Sequence, residues 1–144
     1  MDYRRFGDTC VVRLDKGEEV VSGLQAVCEQ TEINLGAVSG LGAINSVTMR
    51  FFDTATKGYV DKTIDRPMEI TSLVGSVSQM DGKVYLHLHV NVAGDDYRSL
   101  GGHLLAATVS ATAEFFIQCV NARVERSFSE EIGLNLLDFA KPAG

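Results

Sequence analysis

Val84-Tyr85-Leu86-His87-Leu88-His89-Val90-Asn91-Val92, entered through Asp81-Gly82, is the stretch from which the rest of the chain is read. Apolar and polar residues alternate along it. Leu86, Leu88, Val90 and Val92 take one face, and Tyr85, His87, His89 and Asn91 take the other. A period of two marks a strand that is apolar on one side only. Upstream lies the apolar run Leu73-Val74-Gly75-Ser76-Val77. An Asp-Gly pair between two such runs signals a two-residue hairpin turn, because both central residues need positive φ. The stretch is therefore an arm of an antiparallel hairpin. Its greasy face lies on the core, and its polar face lies on a cleft, on solvent or on a subunit boundary.

That polar face carries chemistry. All three histidines of the chain, His87, His89 and His103, fall between positions 87 and 103. On a strand, His87 and His89 share a face with Cα atoms roughly 6.6 Å apart, so both rings can turn toward one cation. A third imidazole, His103, brought in across a Gly101-Gly102 turn, completes a three-nitrogen site with a position left for water or a substrate, the donor set of catalytic zinc. Nickel, copper and iron also accept neutral imidazole, but three histidines suit zinc best. The pair alone could equally face solvent or hydrogen-bond across the sheet. Its grouping with the third histidine beside two glycines points to a metal. Gly101-Gly102 has a plain role as well, supplying positive φ or letting another backbone approach. Asp95-Asp96 either adds an oxygen ligand and orients a ring, or is a solvated turn. Glu114, set in Thr112-Ala113-Glu114-Phe115-Phe116, either faces water or has a dedicated partner.

Working outward, Thr9 to Leu14 reads as an opening strand ended by the turn Asp15-Lys16-Gly17. Asp15 with Glu18 resembles a capping box, and Val20, Val21, Leu24, Val27 and Cys28 then recur at helical spacing to about Glu32. Ala37 to Ser39 and Ser46 to Phe52 are expected as strands flanking a tight connection at Gly40-Leu41-Gly42-Ala43, with Val47, Met49 and Phe51 on one side. A turn at Asp53 to Gly58 leads to a short strand near Tyr59 to Ile64, and Pro67 restarts the chain for Met68 to Val77. After a polar turn over Ala93 to Ser99 come apolar Leu104 to Val109, a strand over about Thr112 to Val120, and one more strand in Arg123 to Phe139, with loose ends at Lys141-Pro142. The sum is an α+β fold on a largely antiparallel sheet of about seven strands, with one main helix near the amino terminus.

A chain of 144 residues fits one domain over residues 1–144. With 45% hydrophobic and 22% charged residues it has a soluble composition, and no run reaches the roughly 20 apolar residues of a membrane helix. Met1-Asp2-Tyr3-Arg4-Arg5 lacks the apolar core of a signal peptide, and a cytoplasmic protein is expected. Cys10, Cys28 and Cys119 form no CxxC pair and are expected as buried reduced thiols. A net charge of −6 argues against an extended phosphate-binding surface, and Arg4-Arg5, the densest basic spot, is expected to be solvated. No GxGxxG, P-loop, GxSxG or HExxH motif is present.

The run from Glu69-Ile70-Thr71-Ser72-Leu73-Val74-Gly75 through His87-Leu88-His89 to Gly101-Gly102-His103-Leu104 resembles the plant- and prokaryote-conserved (PPC) domain. Arg13 to Glu19 is similar to that family's opening strand and turn, Ser39 to Ala43 to its glycine-containing connection, and Thr112-Ala113-Glu114 to its late strand. Val92 to Tyr97 differs from the family's acidic turn, and Ala106-Ala107 stands near a position that is often glycine. The resemblance implies an α+β domain that associates as a homotrimer, in some prokaryotic members with a metal at the histidine cluster. It places metal ligation on His87, His89 and His103, with Gly101 and Gly102 shaping the turn. It also implies a DNA-binding label, which in plants belongs to AT-hook segments ahead of the domain. This chain has no Arg-Gly-Arg-Pro hook, and no DNA contact is carried over. The expected protein is a homotrimeric, metal-binding interaction or regulatory module with a transition metal, zinc first, and protein partners or a small-molecule ligand. The alternative is a metal-dependent enzyme with water activated at the open position of a three-histidine zinc site, with Glu114 or Asp95 as general acid or base. A cupin barrel is the other home for a His-x-His strand, but the amino-terminal helix fits it poorly.

Overall fold

Alternating strands need partners for both their hydrogen bonds and their apolar faces, and here two unusually long strands supply most of them. The computed structural model describes residues 1–140. The elements are β1 (Asp2–Phe6), β2 (Thr9–Asp15), α1 (Val20–Gln30), β3 (Gly36–Asp53), β4 (Gly58–Ile64), β5 (Met68–Met80), β6 (Lys83–Ala93), β7 (Ser99–Cys119), β8 (Glu125–Ser129) and β9 (Leu134–Asp138). This is the α+β architecture expected, a mostly antiparallel sheet with one main helix, with nine strands among the described residues where about seven were expected. Strand β7 pairs with β3 along nearly its whole length, from Gly36↔Cys119 to Arg50↔His103. Because β3 also pairs with β5, β5 with β6, and β6 with β7, these four strands close a circuit. Val38, Ile44, Leu73, Val77, Leu88, Val90, Val109 and Phe115 are buried in one core, against which α1 lays Val20, Leu24, Val27 and Cys28.

Several expectations change. Gly40 to Ala43 is not a connection but the middle of β3, where the register shifts twice as the strand bends. Glycine is needed there because a Cβ on Gly40 would collide with the ring of Phe115, and one on Gly42 with the side chain of Ala113. Val47, Met49 and Phe51 share one side of β3 as expected, its pairing with β4 being regular from Val47 to Asp53, but only Val47 and Met49 are buried there and Phe51 is exposed. Leu104 to Val109 and Thr112 to Cys119 are one strand, β7. The tail forms two strands, β8 and β9, paired as a hairpin, and Asp2–Phe6 adds an edge strand carrying exposed Arg4 and Arg5. Lys141 and Pro142 lie outside the described residues.

The helix cap is Glu19, whose carboxylate accepts from the N–H groups of Val21 and Ser22 at 2.9 and 2.7 Å. Asp15 and Glu18 instead close the turn before it: the Asp15 N–H donates to the Glu18 carboxylate at 2.8 Å and the Glu18 N–H to the Asp15 carbonyl at 3.1 Å. The hairpin turn is as expected, with Asp81 at φ 52° and Gly82 at φ 76°. Cys10, Cys28 and Cys119 are buried free thiols.

Gly75 sets how closely β5 and β6 approach. A Cβ there would collide with the carbonyl oxygen of His87 and stand 2.9 Å from the Cα of Leu88. Since both obstacles are backbone, Gly75→Ala is expected to lower stability by about 2 kcal/mol or more, read as a lower urea midpoint with unchanged slope.

Candidate metal centre

The site is assembled by cross-strand register. Residues facing one another across four adjacent pairings run Asp61 on β4, Arg50 on β3, His103 on β7, His89 on β6 and Val74 on β5. His87 follows on β6, two residues before His89 and opposite Ser76. Because β6 turns Leu88, Val90 and Val92 into the core, its histidines point to the outer face. His103 arrives on the same face by being the direct partner of His89.

One ligand nitrogen from each ring lies within 4.8 Å of the others. His87 Nε2 and His103 Nδ1 are 3.2 Å apart. Two nitrogens each about 2.05 Å from a tetrahedral ion would be separated by about 3.3 Å, so this pair already has the spacing of neighbouring zinc ligands. In the metal-free form the same contact is a hydrogen bond between one protonated and one bare ring nitrogen. The ring centroids of His89 and His103 are 4.1 Å apart, and those of His87 and His103 are 5.2 Å apart and near parallel at 20°. His89 is exposed, while His87 and His103 are half-buried. Three imidazole nitrogen donors on one face fit a transition metal.

Gly101 and Gly102 do not form a turn. Both are extended within β7, where a Cβ on Gly101 would come within 3.0 Å of the Val90 carbonyl oxygen and one on Gly102 within 3.1 Å of that of Arg50. They let β7 squeeze between β6 and β3, the second of the two plain roles considered for them. Asp95 and Asp96 stay in the turn between β6 and β7: Asp96 accepts from the Arg98 N–H at 3.2 Å and lies 4.0 Å from Arg66. Glu114 is exposed, opposite Arg13 and Leu41, eleven positions along β7 from His103. No described acid hydrogen-bonds to any of the three rings.

Four residues of the site carry no motif. Arg50 is held by two bonds to the Asp61 carboxylate, at 3.0 and 2.9 Å, and its guanidinium lies 4.5 Å from the centre of the Tyr59 ring, which meets His103 edge-on. On the other side Arg126, buried, donates from Nε to Ser78 Oγ at 2.8 Å and from Nη1 to the Asn135 carbonyl at 2.7 Å, and stacks over Tyr85 at 4.7 Å. Only the alternation that faces Tyr85 with His87 hints at any of them; Arg50, Tyr59 and Arg126 come from other strands.

Burial pushes His87 below the ordinary imidazole value, and the charges of Arg126, His103 and His89 push the same way. Burial likewise depresses His103, helped by His89 and Arg50. The rings are thereby kept neutral, the form a metal requires.

The Plants and Prokaryotes Conserved (PCC) domain family matches residues 1–121, and this chain belongs to that family. A candidate DNA-binding protein from Bacteroides thetaiotaomicron is 39% identical, with 97% of this chain and 98% of that one superposed at a TM-score of 0.95. A metal-containing protein from Archaeoglobus fulgidus is 33% identical over 95% of this chain and 98% of its own, at a TM-score of 0.84. A plant- and prokaryote-conserved protein from Pyrococcus horikoshii is 26% identical over 98% and 96%, also at a TM-score of 0.84. No curated protein matches the chain.

The depressed rings set a sign for pH. A base whose folded pKa lies below its unfolded value adds stability that is complete above the unfolded value, near 6.5, and is lost as pH falls through the folded one. Metal-free protein is therefore expected to lose urea resistance on acidification below pH ~6.5. The double variant His87→Gln, His103→Gln is expected to show a flatter profile in that window.

Proposed function

We propose that this protein is a homotrimeric, cytoplasmic regulatory module whose three histidines, His87, His89 and His103, hold a zinc ion that serves to bind a ligand. The observation that carries this reading is the convergence of the three imidazoles on one face, within 4.8 Å, beside a cavity of about 550 Å³. Bound zinc would supply a Lewis-acidic centre with a coordination position open to that cavity. Further support comes from the relative in Archaeoglobus fulgidus, which is described as metal-containing. The enzyme alternative calls for a base beside the metal. Among the described residues, however, the cavity wall contains no carboxylate, and Glu114 and Asp95 lie elsewhere.

The trimer is supported by apolar surface on the strands. Phe51 and Val60 are cross-strand partners and remain 69% and 64% exposed, and Leu41, Val74 and Phe116 are exposed as well. Apolar area of this kind is what an oligomer covers. Buried thiols suit a reducing compartment. Direct DNA contact is not part of the reading, given a net charge of −6.

Elemental analysis of protein purified without a histidine tag is expected to find about one equivalent of transition metal per chain, zinc foremost. His89→Ala is expected to lower zinc affinity about 100-fold or more. Less than about a tenth of an equivalent, unchanged on adding zinc, would remove the metal from the reading. Sedimentation at three times the 15.6 kDa chain mass is expected, and a monomer would remove the trimer.

A further inference from the structure

A histidine that ligates a metal is usually oriented by a hydrogen bond from its other ring nitrogen to a carboxylate or a carbonyl. Among the described residues, the only such bond the three rings make is the one between His87 Nε2 and His103 Nδ1. Orientation by the protein then falls to ring packing. Of the three, His103 also meets an aromatic ring from outside the cluster. Tyr59 stands 6.2 Å from it, centroid to centroid, and nearly perpendicular at 82°. This is the edge-to-face arrangement that aromatic quadrupoles favour.

Tyr59 is itself braced. It lies directly opposite Phe52 in the β3–β4 pairing, with the two rings 5.1 Å apart at 56°. The Arg50 guanidinium sits 4.5 Å from the Tyr59 ring centre, and both oxygens of Asp61, the direct partner of Arg50 on β4, hold it there. Arg50 is also the direct partner of His103 on β7. Register thus puts Arg50, Phe52, Tyr59, Asp61 and His103 on one face of the sheet. Tyr59 nevertheless remains 44% exposed, so the bracing is not ordinary core packing. The Asp61 carboxylate partly offsets the Arg50 charge, which eases the placing of a cation nearby.

The nitrogen of His103 that faces His87 is Nδ1, at 3.2 Å, close to the spacing of two ligands on one zinc ion. A half-turn of the His103 ring about its Cβ–Cγ bond would put a carbon where Nδ1 stands and break that pairing. We propose that Tyr59, braced by Phe52, Arg50 and Asp61, is the positioning residue that holds His103 for ligation through Nδ1. The inference rests on the metal reading above and adds how one of the ligands is set. His103 Nε2 then keeps its proton, because a neutral imidazole bonded to a metal at one nitrogen carries hydrogen on the other.

The test uses the full chain, nitrogen-labelled, with and without zinc. Long-range proton–nitrogen correlation NMR separates a metal-bound ring nitrogen from a protonated one, and a competing chelator reads the affinity. In the unaltered protein zinc is expected on Nδ1 of His103 and on Nε2 of His87. Tyr59→Leu is expected to weaken zinc about fivefold or more, and to leave His103 in a mixture of Nδ1-bound and Nε2-bound forms while the His87 pattern stays the same. Tyr59→Phe, which keeps the ring, is expected to retain both the affinity and the single Nδ1 pattern. Zinc on Nε2 of His103 in the unaltered protein would overturn the positioning role and leave the metal reading intact, and that measurement needs no variant. Tyr59→Leu with unchanged affinity and an unchanged Nδ1 pattern would overturn it equally, as would Tyr59→Phe behaving like Tyr59→Leu. Failure to take up zinc would overturn the metal reading and the positioning role with it.

Discussion

The antiparallel register that places His103 directly opposite His89 is the constraint on which the site depends. Side chains on a strand alternate faces, so a slip of one residue between β6 and β7 would send His103 into the core and bring Gly102 or Leu104 outward. Three features hold the register. The core face of β6, with Leu88, Val90 and Val92 buried, cannot turn outward without exposing that apolar surface. The long β3–β7 pairing fixes β7 from its far end. Gly101 and Gly102 leave room for neighbouring carbonyls that any side chain would displace.

Charge then refines what register assembles. The outer face around the imidazoles is flanked by Arg50 and Arg126, each held in place by its own contacts. Their positive field and partial burial act in the same direction on His87 and His103, disfavouring the protonated rings.

Local pattern made much of this legible. The alternation of Tyr85 to Val92, the Asp81-Gly82 turn and the stripe Val20, Leu24, Val27 and Cys28 each report a periodicity that burial enforces, and each is found where the pattern places it. Glycine-rich stretches misled in both places where they matter. Gly40 to Ala43 and Gly101-Gly102 resemble turns because turns need glycine, but here glycine serves close strand packing within β3 and β7. The cap lies at Glu19, four residues beyond the Asp15 that the capping-box pattern marks. Asp15 and Glu18 do exchange hydrogen bonds as a capping box would, but they close a turn, and Glu19 reaches the helix N–H groups.

The sequence by itself determined the antiparallel α+β architecture, the core faces of β6 and α1, and the candidacy of His87, His89 and His103 as one cluster, because alternation and helical spacing are local consequences of burial. Only the tertiary structure decided what surrounds those rings. Arg50, Tyr59 and Arg126 meet the histidines through contacts between residues distant in the chain, Arg50 by its pairing with His103, and nothing in the local pattern of β3, β4 or β8 announces it. It also decided that Asp95, Asp96 and Glu114 stand away from the site. Long-range register is set by the closure of the whole sheet, and no window of sequence contains that information.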